Sequence, residues 1–324
     1  MLTLVRIFVL SVPIVAAAAQ AIADPTSWSR EGWETDFSKS SVPFEEIISG
    51  GPPRDGIPSI DDPKFAAASA VPDIEAREPV IQFGLGGDIR AYPLRVLTWH
   101  EIVNDVVGGV PVAVTYCPLC NAALVFDRRL DDRVLEFGTT GKLRNSDLVM
   151  YDRQTESWWQ QFTGEAIVGT LNGRKLKLLP SRIVAFSAFR EAYSGGPVLV
   201  PNDPSFRDYG RNPYASYDSS ATPFLYRGDL PEDIPAMARV VVVRTQDEPI
   251  IVTLDRVRAG TLERDGYRIE FEEGVASALD HSTIAKGRDV GTVRVTRDGR
   301  DVVHDVTFAF VAHAFHPDVP IIGK

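Results

Sequence analysis

Cysteine is scarce in this chain, and its scarcity narrows the chemistry. Of 324 residues only Cys117 and Cys120 are cysteines. A chain of this length can bury a core that is stable without a disulfide framework. Closing the short loop between the two cysteines would add only about 2 kcal/mol of stability. We therefore predict that the pair is kept for metal binding or reactivity, with an inert disulfide as the alternative.

Positive charge is also in short supply. The chain has 34 lysines and arginines against 44 acidic residues, which gives a formal net charge of −10. Binding to nucleic acid calls for a basic face, so the balance argues against that class of partner. It gives no reason to expect attraction to an anionic membrane surface. The remaining partner classes are a small molecule or another protein.

The common enzyme motifs are missing as well. The sequence contains no Gly-x-Ser-x-Gly, His-Glu-x-x-His or phosphate-binding loop. The glycine-rich stretch at residues 84–87 lies between two predicted strands. A dinucleotide-binding turn leads into a helix, so this stretch does not indicate one.

Long apolar runs are limited to the N-terminus. Arg6 precedes an apolar segment over residues 7–19, and Ala-Ile-Ala at 21–23 fits a small-x-small cleavage site. The segment is short for a membrane span, which needs about 20 residues. We predict that residues 1–23 are a signal peptide and that the protein is periplasmic or secreted. The alternative is an uncleaved signal anchor; we expect no membrane span after cleavage.

The two cysteines lie between two apolar runs. Residues 112–116 and 122–126 are short, apolar and rich in β-branched and aromatic side chains, which predicts two buried strands. The Cys-Pro-Leu-Cys segment would then form a tight turn between strands. A thioredoxin-type pair lies instead at the first turn of a helix, which lowers a thiol pKa. The pattern favours a metal knuckle or a redox hairpin.

Composition shifts divide the chain into segments. We expect a β-rich α+β fold of antiparallel sheets and hairpins with few short helices. The predicted segments after the signal peptide are an extended Pro/Gly-rich wrapping segment at 24–74, a Cys-bearing β-rich half at 75–200, a long Pro/Tyr-rich loop at 201–238 and a second β-rich half at 239–324.

An internal similarity suggests how the halves are related. Residues 239–257 align without a gap with residues 79–97, at an offset of 160, and both predict strand, polar turn, strand and short helix. We therefore hypothesise two pseudo-repeated halves. The second half lacks cysteine, so the first is the predicted site-bearing half.

Histidines are the predicted partners of the cysteines. The sequence predicts a helix that opens at Pro93 and ends at Gly108, with His100 and Asn104 one turn apart on one face. Packing of this helix on the next strand would bring His100 near Cys117; the alternative is a core hydrogen bond. His316 follows His313 at i, i+3, a spacing that allows chelation on a helix but not on a strand.

Polar and aromatic residues in the 143–169 region are further candidates. Trp158 and Trp159 would point to opposite faces of a strand, so one interpretation places one of them in the core and the other, with Gln160, in a pocket. The favoured alternative is that both tryptophans are structural. The full set of candidate binding residues is Asn104, Met150, Asp152, Arg153, Trp158 and Gln160.

Several motifs occur together in a specific order. They are His-Glu-Ile-Val-Asn-Asp at 100–105, Cys-Pro-Leu-Cys at 117–120, Phe-Gly at 137–138, Met-Tyr-Asp-Arg at 150–153, Trp-Trp-Gln at 158–160 and Phe-His-Pro at 315–317. In this order they resemble the domain of unknown function 3179 family of bacterial and archaeal, frequently exported proteins, over roughly residues 75–320. The resemblance implies no particular reaction, substrate or cofactor. It marks Cys117, Cys120 and His100 as matching motif positions.

Three functional hypotheses follow. The first is a copper or zinc site that uses Cys117 and Cys120 with His100 and His316, with Met150 as an alternative soft ligand. The second is a thiol–disulfide enzyme whose catalytic residues are Cys117, which attacks, and Cys120, which resolves. The third is a binding or scaffold protein with a passive disulfide and no cofactor.

Overall fold

The computed structural model describes residues 24–323, so the predicted signal peptide lies outside the described residues. In this part of the chain strands greatly outnumber helices, and no helix is long and apolar enough to cross a membrane. The helices are α1 (Pro25–Arg30), α2 (Leu94–His100), α3 (Phe186–Ala192), α4 (Leu254–Arg258) and α5 (Ala309–Phe315).

The strands in the first half of the chain include the two that flank the cysteine turn, β6 and β7. They are β1 (Ile47–Ser49), β2 (Lys64–Ala67), β3 (Pro79–Leu85), β4 (Asp88–Pro93), β5 (Ile102–Val107), β6 (Val110–Cys117), β7 (Ala122–Asp127), β8 (Arg129–Leu130), β9 (Arg133–Val134), β10 (Phe137–Arg144), β11 (Asp147–Asp152), β12 (Trp158–Gln160) and β13 (Glu165–Val168).

The remaining strands complete these sheets and form two more. They are β14 (Lys177–Leu179), β15 (Arg182–Ala185), β16 (Pro197–Val200), β17 (Arg239–Val243), β18 (Ile250–Thr253), β19 (Leu262–Arg264), β20 (Tyr267–Glu272), β21 (Thr292–Arg297), β22 (Arg300–Asp301), β23 (His304–Phe308) and β24 (Ile321–Ile322).

Five sheets of four or five strands form a propeller-like ring of five blades. Their strand orders are β1-β10-β11-β12-β13 (sheet A), β14-β7-β6-β5 (sheet B), β15-β3-β4-β16-β2 (sheet C), β23-β17-β18-β24 (sheet D) and β19-β20-β21-β22 (sheet E). The β-rich fold with few short helices is thus confirmed, and the ring was not predicted. Pairing is antiparallel except at the parallel pairs β4–β16 and β18–β24.

The topology of sheets C and B recurs in sheets D and E. In sheets C and D a hairpin, β3–β4 or β17–β18, lies between an antiparallel strand that enters a helix and a parallel strand. Sheets B and E are both four-stranded and antiparallel, and each lies in the chain between the parts of its partner sheet. The two halves differ in sheet A: strands β8 to β13 lie in the chain between β7 and β14 of sheet B, and in the described part of the chain no strands are inserted in this way into sheet E. The repeated order extends the sequence similarity from one hairpin to two sheets.

The predicted helix after Pro93 is shorter than expected. It ends at His100, and Glu101 then turns the chain with a φ of 58°. The β-branched run that follows forms β5 instead, since Val and Ile favour strands over helices. The two glycines at 108–109 make the β5–β6 hairpin turn. Asn104 therefore lies on a strand, and its predicted shared helical face with His100 is wrong.

The two adjacent tryptophans do point to opposite faces of their strand, but both are core. Trp158 packs within 5.5 Å of the rings of Trp28, Trp33 and Phe37 from the N-terminal segment. Trp159 packs on the other face against Phe137, 5.7 Å away. Neither indole is exposed. The expectation that only one would be core is wrong, because the N-terminal segment covers the outer face of sheet A. The favoured alternative, a structural tryptophan pair, is confirmed.

We expect Trp158→Ala and Trp159→Ala each to lower the free energy of unfolding by about 3–5 kcal/mol, because each removes a fully buried indole. Denaturant unfolding measures the change. Phe206→Ala is the control, since Phe206 is 42% exposed and its loss should change stability by about 0.5 kcal/mol or less. A large loss for only one tryptophan would contradict burial of both faces.

Candidate metal centre

The Cys-Pro-Leu-Cys segment is a tight turn between strands, as predicted. Strand β6 ends at Cys117, which pairs with Ala122 at the start of β7. Asn121 closes the turn with a φ of 52° and donates its backbone N–H to the Pro118 carbonyl, 3.2 Å away. Asparagine tolerates this left-handed conformation better than most residues. Both sulfurs are held on a rigid hairpin and are not bonded to each other.

A second hairpin turn meets the first. Asn145 and Ser146, between β10 and β11, have φ values of 54° and 62°. Positive φ at both central residues is typical of the two-residue turn that matches strand twist. The Ser146 carbonyl oxygen lies 3.8 Å from the Sγ of Cys117 and 3.4 Å from the Sγ of Cys120. Asp147 follows directly as the first residue of β11.

The two turns bring three potential ligands together. One Sγ each from Cys117 and Cys120 and one carboxylate oxygen of Asp147 lie within 4.8 Å of one another, and all three residues are buried. Among the described residues, no histidine belongs to this group. The sequence predicted its two sulfurs but not its carboxylate.

Asp147 is held by one oxygen only. Its Oδ2 accepts hydrogen bonds from Gln160 Nε2 at 2.6 Å and from the Phe162 backbone N–H at 2.8 Å. Its Oδ1 is buried with no N–H or O–H donor among the described residues, and the thiols of Cys120 and Cys117 act as weak hydrogen-bond donors to the carboxyl group. Leaving a buried acceptor unsatisfied costs about 1–3 kcal/mol, and more for a charged group. A cation beside the two sulfurs would satisfy this oxygen.

The electrostatics of the centre favour proton retention. Burial raises the pKa of Asp147 to about 6. Burial also raises the pKa of Glu101 to about 8, and repulsion by the charge of Asp147 raises it further toward that value. Burial also raises the pKa of the Cys117 thiol and takes that of Cys120 well above its usual value. These thiols are therefore the reverse of activated nucleophiles, whose pKa is lowered.

Other parts of the chain fasten the cysteine turn. Thr307 Oγ1 donates to the Cys120 carbonyl at 2.7 Å, and Asn121 Nδ2 donates to the Val306 carbonyl at 2.8 Å, both on β23. From the long loop, the Tyr217 hydroxyl donates to the Leu119 carbonyl at 3.0 Å. The turn is thus fixed by the C-terminal part of the chain.

His100 lies outside the group. Its Nδ1 is 2.7 Å from the Pro58 carbonyl oxygen, and its Nε2 is 2.7 Å from the Tyr209 hydroxyl. The Tyr209 ring also stacks on it. Both nitrogens that could bind a metal are therefore engaged. The short α2 directs His100 toward the N-terminal segment and the long loop.

His316 also lies outside the group. His316 is the C-cap residue of α5, and His313 lies in the last turn of that helix. The two histidines are therefore not one turn apart within the helix, as chelation on a helix would require. The Nε2 of His316 is buried without a partner among the described residues, and its ring is 6.3 Å from that of Phe162. Burial and the charge of Arg244 lower its pKa to about 4.

Two of the predicted binding residues adjoin the centre. Gln160 donates to Asp147, as described above, and does not line an open pocket. Met150 is fully buried in the hydrophobic cluster that also contains Cys117 and Cys120. Both residues belong to the packing around the centre.

The other predicted binding residues hold the fold. Asn104 bonds the backbone of Phe137 through both its side-chain atoms. Asp152 accepts from the Thr155 backbone N–H, and Trp159 Nε1 donates to it.

Arg153 and Trp158 attach the N-terminal segment. Arg153 forms an ion pair with Asp61 and donates to Ser59 Oγ at 2.9 Å. Trp158 packs on the aromatic rings of that segment.

Sequence reasoning missed Asp147 as a member of this group. The local signal for Asp147 is an acidic residue after the turn pair Asn145-Ser146, at the head of the apolar run 148–151. This local pattern does not indicate which buried groups the Asp147 carboxyl group lies beside in the fold.

A cleft of about 370 Å³ lies beside the second turn. Its lining includes Arg144, Asn145, Tyr226, Arg227 and His313. It therefore places charged and polar groups next to Ser146.

The fold and the centre define a β-rich, propeller-like protein with two buried thiols beside a buried carboxylate. A family model described as "Protein of unknown function (DUF3179)" matches residues 54–319, and the chain belongs to this family. Searches of curated proteins and of solved structures found no match. Chemical inference therefore rests on the chain's own residues.

We expect Tyr217→Phe to make the buried thiols react about five times faster with a thiol reagent in the native protein. Loss of the hydrogen bond to the cysteine turn costs about 1 kcal/mol. This raises about fivefold the population of molecules in which the turn has opened and the thiols are accessible to the reagent. Tyr226→Phe is the matched control, because the Tyr226 hydroxyl bonds Asp229 within the same loop. Equal labelling rates in the two variants would contradict the fastening role.

Proposed function

We propose that the protein binds one soft or borderline metal ion, copper or zinc, through Cys117, Cys120 and Asp147. The observation that carries the proposal is the approach of their ligand atoms to within 4.8 Å of one another in a buried site. Thiolates suit Cu(I) and Zn(II), and zinc is also bound by carboxylates. Asp147 takes the place that the sequence prediction gave to His100 and His316.

The missing counter-charge at Asp147 also supports the proposal. A fold that desolvates a carboxylate usually provides it with a counter-charge or a full set of hydrogen bonds. Asp305 shows the usual arrangement, since Arg244 pairs with it at 2.7 Å. No basic side chain pairs with Asp147 among the described residues.

Thiol–disulfide exchange is the second candidate. The shared proximity of both sulfurs to the Ser146 carbonyl favours it. Their burial and raised pKa values count against it, because the thiolate is the attacking species. A high reduction potential for the pair would favour this candidate, and a very low one would favour a passive disulfide.

Three further proposals concern the whole chain. We propose that residues 1–23 direct export to the periplasm or the medium, and that the partner is a small molecule or a protein. The repeated sheet order supports descent of the two halves, 75–200 and 239–324, from one ancestral unit. In that account the cysteine turn belongs to the first copy alone.

We expect purified protein to contain about one zinc or copper per chain by elemental analysis, and Cys117→Ser to lose it, because one of two thiolates is removed. Thiols are counted in the same sample. Protein that contains neither metal nor free thiols would contradict the metal proposal for that state.

We expect Asp147→Asn to weaken zinc binding by at least the ~10–100-fold that loss of a supporting residue costs. Competition with a chromophoric chelator measures the affinity. Asp305→Asn is the matched control, since Asp305 is also buried with an unpartnered Oδ1 but is not in the ligand group. Equal loss in both variants would show a general effect on folding and count against Asp147 as a ligand.

A further inference from the structure

Residues 217–224 of the long loop bridge the two turns that hold the ligand atoms, and we call this segment the strap. The Tyr217 hydroxyl donates to the Leu119 carbonyl in the cysteine turn at 3.0 Å. The Phe224 carbonyl accepts the Ser146 hydroxyl of the second turn at 2.6 Å. The Phe224 backbone N–H donates to the Tyr217 hydroxyl oxygen at 3.4 Å. The strap therefore ties both turns to the same short piece of chain.

The two ends of the strap are held with different strength. Near its start, the buried Asp218 forms ion pairs with Arg239 and Arg288, each at 3.0 Å. Phe224, at the other end, is 58% exposed. Segments with few buried contacts open at a lower free energy than the core does. The Phe224 end therefore opens first, when its hydrogen bond to Ser146 breaks.

The cleft of about 370 Å³ adjoins this weaker end of the strap. Its lining includes Asn145 and Leu225, which are the chain neighbours of Ser146 and Phe224. Leu225 and Tyr226 also pack against the hydrophobic cluster that contains both cysteines. The hydrogen bond between Ser146 and Phe224 therefore lies between the cleft and the metal centre.

The composition of the cleft suits a metal cation. Three of the five charged residues in its lining are acidic, namely Glu45, Glu46 and Asp229 against Arg144 and Arg227. His313 also lines the cleft, and no hydrogen bond or ring contact to its imidazole is found within residues 24–323. Neutral imidazole is a common ligand of both zinc and copper. An ion in the cleft would therefore find a ligand before it reaches the thiols.

We infer that the metal ion enters and leaves the centre through this cleft, with His313 as its first ligand and the hydrogen bond between Ser146 and Phe224 as the gate. The inference rests on the metal binding proposed above and leaves the ligands of the bound ion unchanged. A gate changes the rates of entry and exit by the same factor, because it alters neither the bound nor the free state. A ligand of the bound ion changes the affinity instead.

Two substitutions test the gate by removing the Ser146 hydroxyl. Ser146→Ala is the direct change, and Ser146→Gly keeps the turn, since glycine adopts the φ of 62° at this position without strain. We expect both variants to take up Zn²⁺, and to lose it to excess chelator, about fivefold faster, which is the effect of one hydrogen bond. Stopped-flow mixing of the reduced protein measures both rates.

The dissociation constant for Zn²⁺ should stay within about twofold in these variants, because both rates change together. Ser220→Ala is the matched control and should leave the rates unchanged, since the Ser220 hydroxyl donates to the Thr222 carbonyl within the strap. A loss of affinity in the two Ser146 variants would show damage to the centre and would overturn the gate.

His313→Asn tests the first ligand. We expect uptake and removal of Zn²⁺ both to slow by at least about fivefold, since a metal–ligand contact is worth no less than one hydrogen bond. The dissociation constant should again stay unchanged. His281→Asn is the matched control, because His281 is exposed and is not part of the cleft lining.

The outcomes separate this inference from the metal proposal. Unchanged rates in both Ser146 variants or in His313→Asn would overturn the inference while the metal proposal stands. A lower affinity in His313→Asn would make His313 a ligand of the bound ion and would also overturn the inference. Failure of the native protein to bind Zn²⁺ would overturn both.

Discussion

Desolvation of acidic groups is the constraint around which this structure is organised. Two thiols and the carboxyl group of Asp147 are withdrawn from water at the meeting of two hairpin turns. Burial without counter-charge raises the pKa of each of them. A bound cation would reverse this balance, because it stabilises the deprotonated ligands together. The metal proposal follows from this single imbalance.

The rest of the fold keeps these groups in place. Residues with positive φ set the geometry of both turns, and β23 binds the cysteine turn through Thr307. The long loop adds Tyr217 over the same turn. These contacts join segments that are about 100 to 190 residues apart in the chain. The propeller-like ring is therefore the means by which distant segments meet at the cysteines.

Local patterns succeeded where a short stretch carries its own information. The β3–β4 hairpin and the strands on either side of Cys117 were predicted from alternation and turn residues. The prediction after Pro93 was wrong because it extended a helix through a β-branched run. The expectation that only one of Trp158 and Trp159 could be core was wrong, because the exposure of a strand face depends on what covers it, here the N-terminal segment.

The sequence by itself determined that two cysteines lie in a turn between buried strands of a β-rich protein, since neighbouring residues decide strand and turn. Only the tertiary structure decided which side chains meet those sulfurs. It brought Asp147 from another sheet to the cysteines and engaged His100 with Pro58 and Tyr209. Which residues form a ligand set depends on packing between sheets. No local sequence pattern indicates that the turn before Asp147 packs against the cysteine turn.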